Sequence, residues 1–150
     1  NVCASIQEAM IALSYYDSEI SLDEVIEVKE ILSECGRVEI VPEKLMDCVT
    51  AVSGSGPAFV FMFLEAMADA AVLCGMPRNQ AYIYAAQTIK GSADLVLKTQ
   101  DHPAKLKDSV CSPGGTTIEG VAALEESGLR NSVIKAVNAA YKKSISIRKK

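Results

Sequence analysis

The 150 residues hold a single histidine, His102, and their five cysteines (Cys3, Cys35, Cys48, Cys74 and Cys111) are odd in number, widely spread and never paired as C-x-x-C. These two scarcities exclude a zinc-ligand cluster and a disulfide framework, and they point to a reducing cytoplasm. Basic side chains are scarce too. Fifteen against 19 acidic ones leave a net charge of -4, with no basic face to meet the phosphate backbone of a nucleic acid. "NVCASIQEAM" lacks the charged head and apolar core of a signal peptide and does not begin with methionine, so the chain is expected to be a piece of something longer. Internal repeats and low-complexity segments are also missing. What is present, 49% hydrophobic against 23% charged residues, suffices to bury the core of a soluble globular protein of one domain, or one domain plus part of another.

The first third alternates between two kinds of pattern. "EAMIALSYY" reads as a strand, "SLDEVIEVKEILSECG" as an amphipathic helix, and "RVEIV" as a short strand ahead of Pro42. Ser21 and Glu24 have capping-box spacing, and Gly36 is placed to stop the helix. Strand, helix, strand is half of an α/β domain and too little to cover a sheet by itself.

From about Glu43 onward the pattern is helix after helix. "PAFVFMFLEAMADAAVLC", Pro57 to Cys74, is apolar nearly all round, with Pro57 suited to the first helical position. At 1.5 Å per residue it spans roughly 27 Å, long enough for a bilayer. Glu65 and Asp69 in mid-run argue against lipid, at roughly 2.5 to 3.5 kcal/mol each. A soluble helix of this kind needs protein on most sides, which points to a second subunit. Four segments follow: "RNQAYIYAAQTIKGSADLVLKT", the short "HPAKLKDSV", "TIEGVAALEESG" and "LRNSVIKAVNAAYKKSISIRKK".

The connector "CSPGGTT", Cys111 to Thr117, is the most chemically suggestive stretch. Thr116 and Glu119 have capping-box spacing, which makes Thr116 the expected N-cap and Thr117 the first helical residue. Gly114 and Gly115 can adopt angles closed to other residues and leave backbone amides uncovered. Amides at a helix start, with the positive end of its dipole behind them, form an anion site, and the hydroxyls of Ser112, Thr116 and Thr117 add donors without charge. On the residues alone, a plain connector between helices and a site for a small acid or a phosphate both remain open.

Two runs, "AVSGSGPAFVFMFLEAMADAAVLCGMPR" and "HPAKLKDSVCSPGGTTIEGVAALEESGLR", resemble the C-terminal half of pyrroline-5-carboxylate reductases, and the likeness covers nearly the whole chain. The resemblance implies a mainly α fold: residues 1–43 as the strand-helix-strand end of a Rossmann domain, and residues 44–150 as an all-helical dimerisation and substrate-binding domain, similar to the C-terminal domain of 6-phosphogluconate dehydrogenase. It implies NAD(P)H-dependent reduction of the imine of 1-pyrroline-5-carboxylate to L-proline by a homodimer or higher oligomer whose partner subunit contributes to each site. It also implies that Thr117 contacts the ring nitrogen, that Ser112 with the amides around Gly114, Gly115 and Thr116 takes the carboxylate, that Val110 edges the pocket, and that Ser55 and Pro57 touch the nicotinamide. Where the family usually reads Asn-Thr-Pro, this chain has Asn1, Val2 and Cys3.

"SGSGPAF" fails as a dinucleotide fingerprint, because Phe59 stands where the third glycine belongs and Pro57 intervenes. It reads instead as a flexible lead-in and cap for the long helix. With no such fingerprint, the 150 residues are not expected to bind NADPH or NADH tightly, and the rival reading is a helical oligomerisation module without activity. Glu65 and Asp69 are expected in an intersubunit polar contact rather than on a metal, and no metal site is expected. His102 is placed at a helix start, Cys111 within reach of thiol reagents, and Lys142, Lys143, Arg148, Lys149 and Lys150 at a solvated helix end.

Overall fold

A computed structural model describes residues 1–16 and 18–148, so Lys149 and Lys150 of the basic cluster lie outside the described residues. The chain divides into two compact units, one made of Asn1–Pro57 with Lys135–Lys150 and the other of Ala58–Ile134.

The first unit opens with a 3₁₀ turn, Val2–Ile6, followed by β1 (Ala9–Leu13), α1 (Leu22–Ser33) and β2 (Gly36–Ile40). The strands pair in parallel from Ala9↔Gly36 to Leu13↔Ile40. Ala9, Val25 and Val38 are buried, with Val25 of α1 supplying the largest fully buried side chain. The capping box is present: the Ser21 hydroxyl meets the Glu24 amide, and Glu24 accepts from the Ser21 amide at 2.9 Å. Gly36 has a different role from the expected one. The helix ends at Ser33, and Gly36 opens β2, where an added Cβ would lie 2.2 Å from the Ala9 carbonyl oxygen. The strands can start together only because that atom is missing.

After a short 3₁₀ turn, Glu43–Leu45, come α2 (Met46–Val49), one π-helical turn (Thr50–Gly54) and α3 (Gly56–Leu73). Ser55 donates its amide to the Thr50 carbonyl at 2.9 Å, the five-residue step that defines a π turn. This corrects the reading of "SGSGP" as a flexible lead-in. The stretch is helical throughout, α3 begins at Gly56 rather than Pro57, and neither Gly54 nor Gly56 takes a positive φ. The helical path Glu43–Leu73 is 31 residues, long and apolar enough on length and composition to cross a membrane.

In the second unit α3 turns into α4 (Arg78–Thr99) through a Schellman motif: Gly75, φ +96°, donates to Val72, and Met76 donates to Ala71. Ala68 of α3 and Ala81 and Ala85 of α4 form the buried seam, flanked by Leu64, Met67, Val72 and Met76. Asp69, still exposed, has a partner within its own chain. It forms an ion pair with Arg78, whose guanidinium also lies 5.5 Å from the Tyr82 ring centre. The rest of α3 is uncovered, with Phe61 57%, Met62 70% and Leu73 88% exposed. Then follow α5 (Pro103–Ser109), α6 (Thr116–Glu126) and the start of α7 (Leu129–Arg148), joined to α6 at Gly128, φ +75°, while α7 from Lys135 onward belongs to the first unit. His102 caps α5 as expected, its Nδ1 accepting from the Ala104 amide at 3.2 Å.

Candidate functional site

The connector between α5 and α6 is a turn with defined geometry. The Gly115 amide donates to the Ser112 carbonyl at 3.0 Å, with Pro113 and Gly114 between them and Gly114 at φ +66°. Proline second and a left-handed glycine third is the pattern of a type II turn. Gly115 is required for a separate reason: an added Cβ would stand 2.3 Å from the Ser112 hydroxyl. One glycine thus supplies an angle and the other supplies room.

Three details differ from the sequence reading. The N-cap of α6 is Gly115 rather than Thr116, so Thr116 and Thr117 are the first two helical residues, and no cap side chain bonds the first turn. The expected capping box with Glu119 does not form; Glu119 donates its amide weakly to Gly115, at 3.5 Å. The Gly115 amide, expected among the anion donors, is taken by Ser112. The donors left for a ligand are those of the first helical turn, at Thr116, Thr117 and Ile118, which lack acceptors inside their own helix. A glycine cap leaves them open where a Ser or Thr cap would have closed one.

Ser112, Thr116 and Thr117 are all exposed at this helix start. Val110, at the C-terminal end of α5, is 63% exposed and lines an apolar cleft of about 290 Å³ with Leu95, Val96, Pro103 and Leu106. Lys107 at the end of α5 is hydrogen-bonded to Asp108, which raises its pKa above the ordinary lysine value and keeps it protonated. A roomier groove of about 560 Å³ runs along α6 and α7 and is walled mainly by Val121, Leu124, Leu129, Val133 and Ile134. Its walls are mostly apolar, and of the charged residues that also line it Arg130 is paired with Glu125 and Lys107 with Asp108. Such a surface suits packing better than catalysis.

Ser55 and Pro57 belong to the first unit, where both are half-buried at the junction of the π turn and α3. Cys111 is half-buried and all five cysteines are unpaired. Among the described residues, no group of three or more His, Cys, Asp or Glu is placed to hold a metal ion.

Sequence reasoning missed the contacts of Asp47. It is buried, accepts from the Ser144 hydroxyl at 2.7 Å and pairs with Arg148 at 2.9 Å. Arg148, at the exposed end of α7, is therefore also held by a carboxylate. The local sequence "EKLMDCV" gives no signal, since a first-turn acid is ordinary at a helix start.

Residues 43–147 match the family model described as pyrroline-5-carboxylate reductase dimerisation. A pyrroline-5-carboxylate reductase of Synechocystis is 48% identical over 150 residues, covering 100% of this chain and 56% of that protein. The Escherichia coli one is 52% identical over 130 residues, covering 87% of this chain and 48% of its own. The crystal structure of Plasmodium falciparum pyrroline carboxylate reductase with NADP bound superposes with a TM-score of 0.85 at 36% identity, over 96% of this chain and 58% of that one. This chain spans about half the length of the curated relatives it matches. A mainly helical fold behind a short parallel strand pair, the specific turn from Ser112 to Thr117 and a match covering 43–147 agree with one another: the chain belongs to the pyrroline-5-carboxylate reductase family.

Proposed function

We propose that this chain supplies the substrate turn and the subunit interface of a cytoplasmic pyrroline-5-carboxylate reductase, which reduces the imine of 1-pyrroline-5-carboxylate to L-proline with NADH or NADPH. Residues 1–43 are the end of its dinucleotide-binding domain and residues 44–150 the helical domain that dimerises and binds substrate. The observation that carries this reading is the glycine-capped start of α6, whose first-turn amides have no side-chain cap and whose neighbours Ser112, Thr116 and Thr117 are exposed. The substrate is a small ring bearing a carboxylate beside an imine, and it needs two kinds of donor. The amides of Thr116 and Thr117 with the Ser112 hydroxyl take the carboxylate, each charge-assisted bond contributing about 1.5 to 3 kcal/mol. The Thr117 hydroxyl takes the ring nitrogen, where protonation makes the adjacent carbon a better hydride acceptor. Val110 walls the pocket, and Ser55 and Pro57 face the nicotinamide.

The bound dinucleotide supplies the hydride. This chain's residues do not fit its pyrophosphate, since the one glycine-rich candidate, Gly54 with Gly56, lies inside a helical path rather than in a turn between strand and helix. No step at the cofactor is therefore assigned to it. The exposed apolar face of α3 is covered by a second copy rather than by lipid, in keeping with the dimerisation region that this part of the chain matches. For the 150 residues by themselves, the lack of a dinucleotide loop favours an oligomerisation module without turnover.

In a complete reductase containing these residues, Thr117→Val is expected to lower kcat/KM by about 100-fold or more, and Thr117→Ser by much less. Equal rates for the two variants remove the hydroxyl from the mechanism. The 150-residue chain alone is expected to be a dimer by light scattering and to leave NADPH unoxidised in the presence of the imine. Protection of this chain from heat by inorganic phosphate but not by proline would replace the ring acid with a phosphate ligand.

A further inference from the structure

Asp47 is the buried charged residue among the described ones, its side chain 8% exposed, and both its oxygens are held from α7. Oδ1 accepts from Ser144 at 2.7 Å and Oδ2 pairs with Arg148 at 2.9 Å. A buried carboxylate is stable only with such partners, so the last turns of α7 and the start of α2 are fixed to each other. From α2 the hydrogen bonding continues forward. The Thr50 hydroxyl donates to the Met46 carbonyl at 2.9 Å, the Ser53 hydroxyl to the Val49 carbonyl at 3.0 Å, and the Ser55 amide to the Thr50 carbonyl at 2.9 Å. Asp47 thus stands one turn before the π turn, and the π turn ends on Ser55. A π turn is a local departure from the α-helical ladder of a kind frequent at functional sites.

We propose that Ser144 and Arg148 are positioning residues for the reductase reaction: by gripping Asp47 they hold the π turn in register and so set Ser55 and Pro57 against the nicotinamide of the bound dinucleotide. The assignment rests on the reading of Ser55 and Pro57 given above. It predicts that the end of α7 affects dinucleotide binding while the ring acid, bound at the start of α6, is unaffected.

The test is steady-state kinetics on a complete reductase containing these residues, with NADPH and the imine acid varied separately, alongside amide hydrogen exchange. Arg148→Ala is expected to raise the KM for NADPH about fivefold while the KM for the imine acid stays within about twofold. Exchange of the amides of residues 50–55 is expected to quicken about tenfold, with those of 81–96 unchanged. Arg148→Lys keeps the charge and is expected to recover most of the loss. A folded Arg148→Ala enzyme with unchanged NADPH KM and unchanged exchange overturns the proposal, as does an equal rise in both KM values. Should Arg148→Ala fail to fold, Ser144→Ala and Arg148→Lys make the same comparison at smaller amplitude. Ser55→Ala separates the two readings. If it raises the NADPH KM and loss of the clamp does not, the clamp fails alone; if it has no effect, the cofactor role of Ser55 fails and the positioning role with it.

Discussion

Two stretches of this chain place serines, glycines and a proline ahead of a helix, and they fold in opposite ways. Ser53–Gly54–Ser55–Gly56–Pro57 is absorbed into a helical path, its serine hydroxyl turned back on a carbonyl and its glycines at negative φ. Ser112–Pro113–Gly114–Gly115 breaks away as a type II turn and delivers an uncapped helix start. Proline at the second turn position directly before a glycine forces the bend in one case, whereas in the other the glycines precede the proline and no bend is imposed. A third helix start, that of α1, is different again, because Ser21 and Glu24 satisfy each other's amides. Glycine content is thus a poor guide to a binding loop. Whether the first-turn amides are left open is a better one.

The contrast can be broken in several ways, the largest first. Gly115→Ala puts a Cβ 2.3 Å from the Ser112 hydroxyl and displaces it, the carboxylate donor of the proposed site. In a complete reductase it is expected to raise the KM for the imine acid by about tenfold or more, with the NADPH KM little changed, as steady-state kinetics would register. Gly114→Ala forces an alanine to φ +66° and is expected to cost about 1 to 2 kcal/mol, measured by urea unfolding. At Gly54 the same change reverses sign. Its φ is negative, and the nearest atom to an added Cβ is the Thr50 methyl at 3.8 Å, so Gly54→Ala is expected to stabilise by about 0.5 to 1 kcal/mol. A loss at Gly54 as large as at Gly114 would erase the distinction drawn between the two stretches.

The smallest effect concerns the closed cap of α1. The Ser21 hydroxyl, and after it the Ser21 amide, hold the Glu24 carboxyl below its usual pKa. A depressed carboxyl contributes stability above its unfolded-state pKa and loses it as pH falls through the folded value. The difference in melting temperature between the parent and Ser21→Ala is therefore expected to be present at neutral pH and to shrink in the acid range. A difference that stays constant down to acid pH would remove the carboxylate from the cap.

Much of the fold was legible because its signals are local. The span 78–99 follows from apolar spacing, and Gly75 and Gly128 mark the ends of α3 and α6 as stop signals should. The "SPGG" turn followed from residue type, but its cap was misplaced by one residue, since Thr116 and Glu119 have the right spacing for a box whichever of two neighbours takes the extended conformation. Gly36 could not be read correctly from its own neighbourhood, because what requires glycine there is the backbone of Ala9, 27 residues earlier. Asp47 was invisible for the same reason: its partners are nearly a hundred residues away.

The sequence by itself determined where most of the helices run and where the chain must bend at Pro113 and Gly114, because periodicity, glycine and proline act over a few residues, and its two long runs carried the resemblance to the family. Only the tertiary structure decided that the backbone of Ala9 requires glycine at position 36 and that Arg148 is gripped by a buried carboxylate. Each of those outcomes depends on which groups meet across space, and a burial or a hydrogen-bond partner is a property of the packed chain that no local stretch encodes.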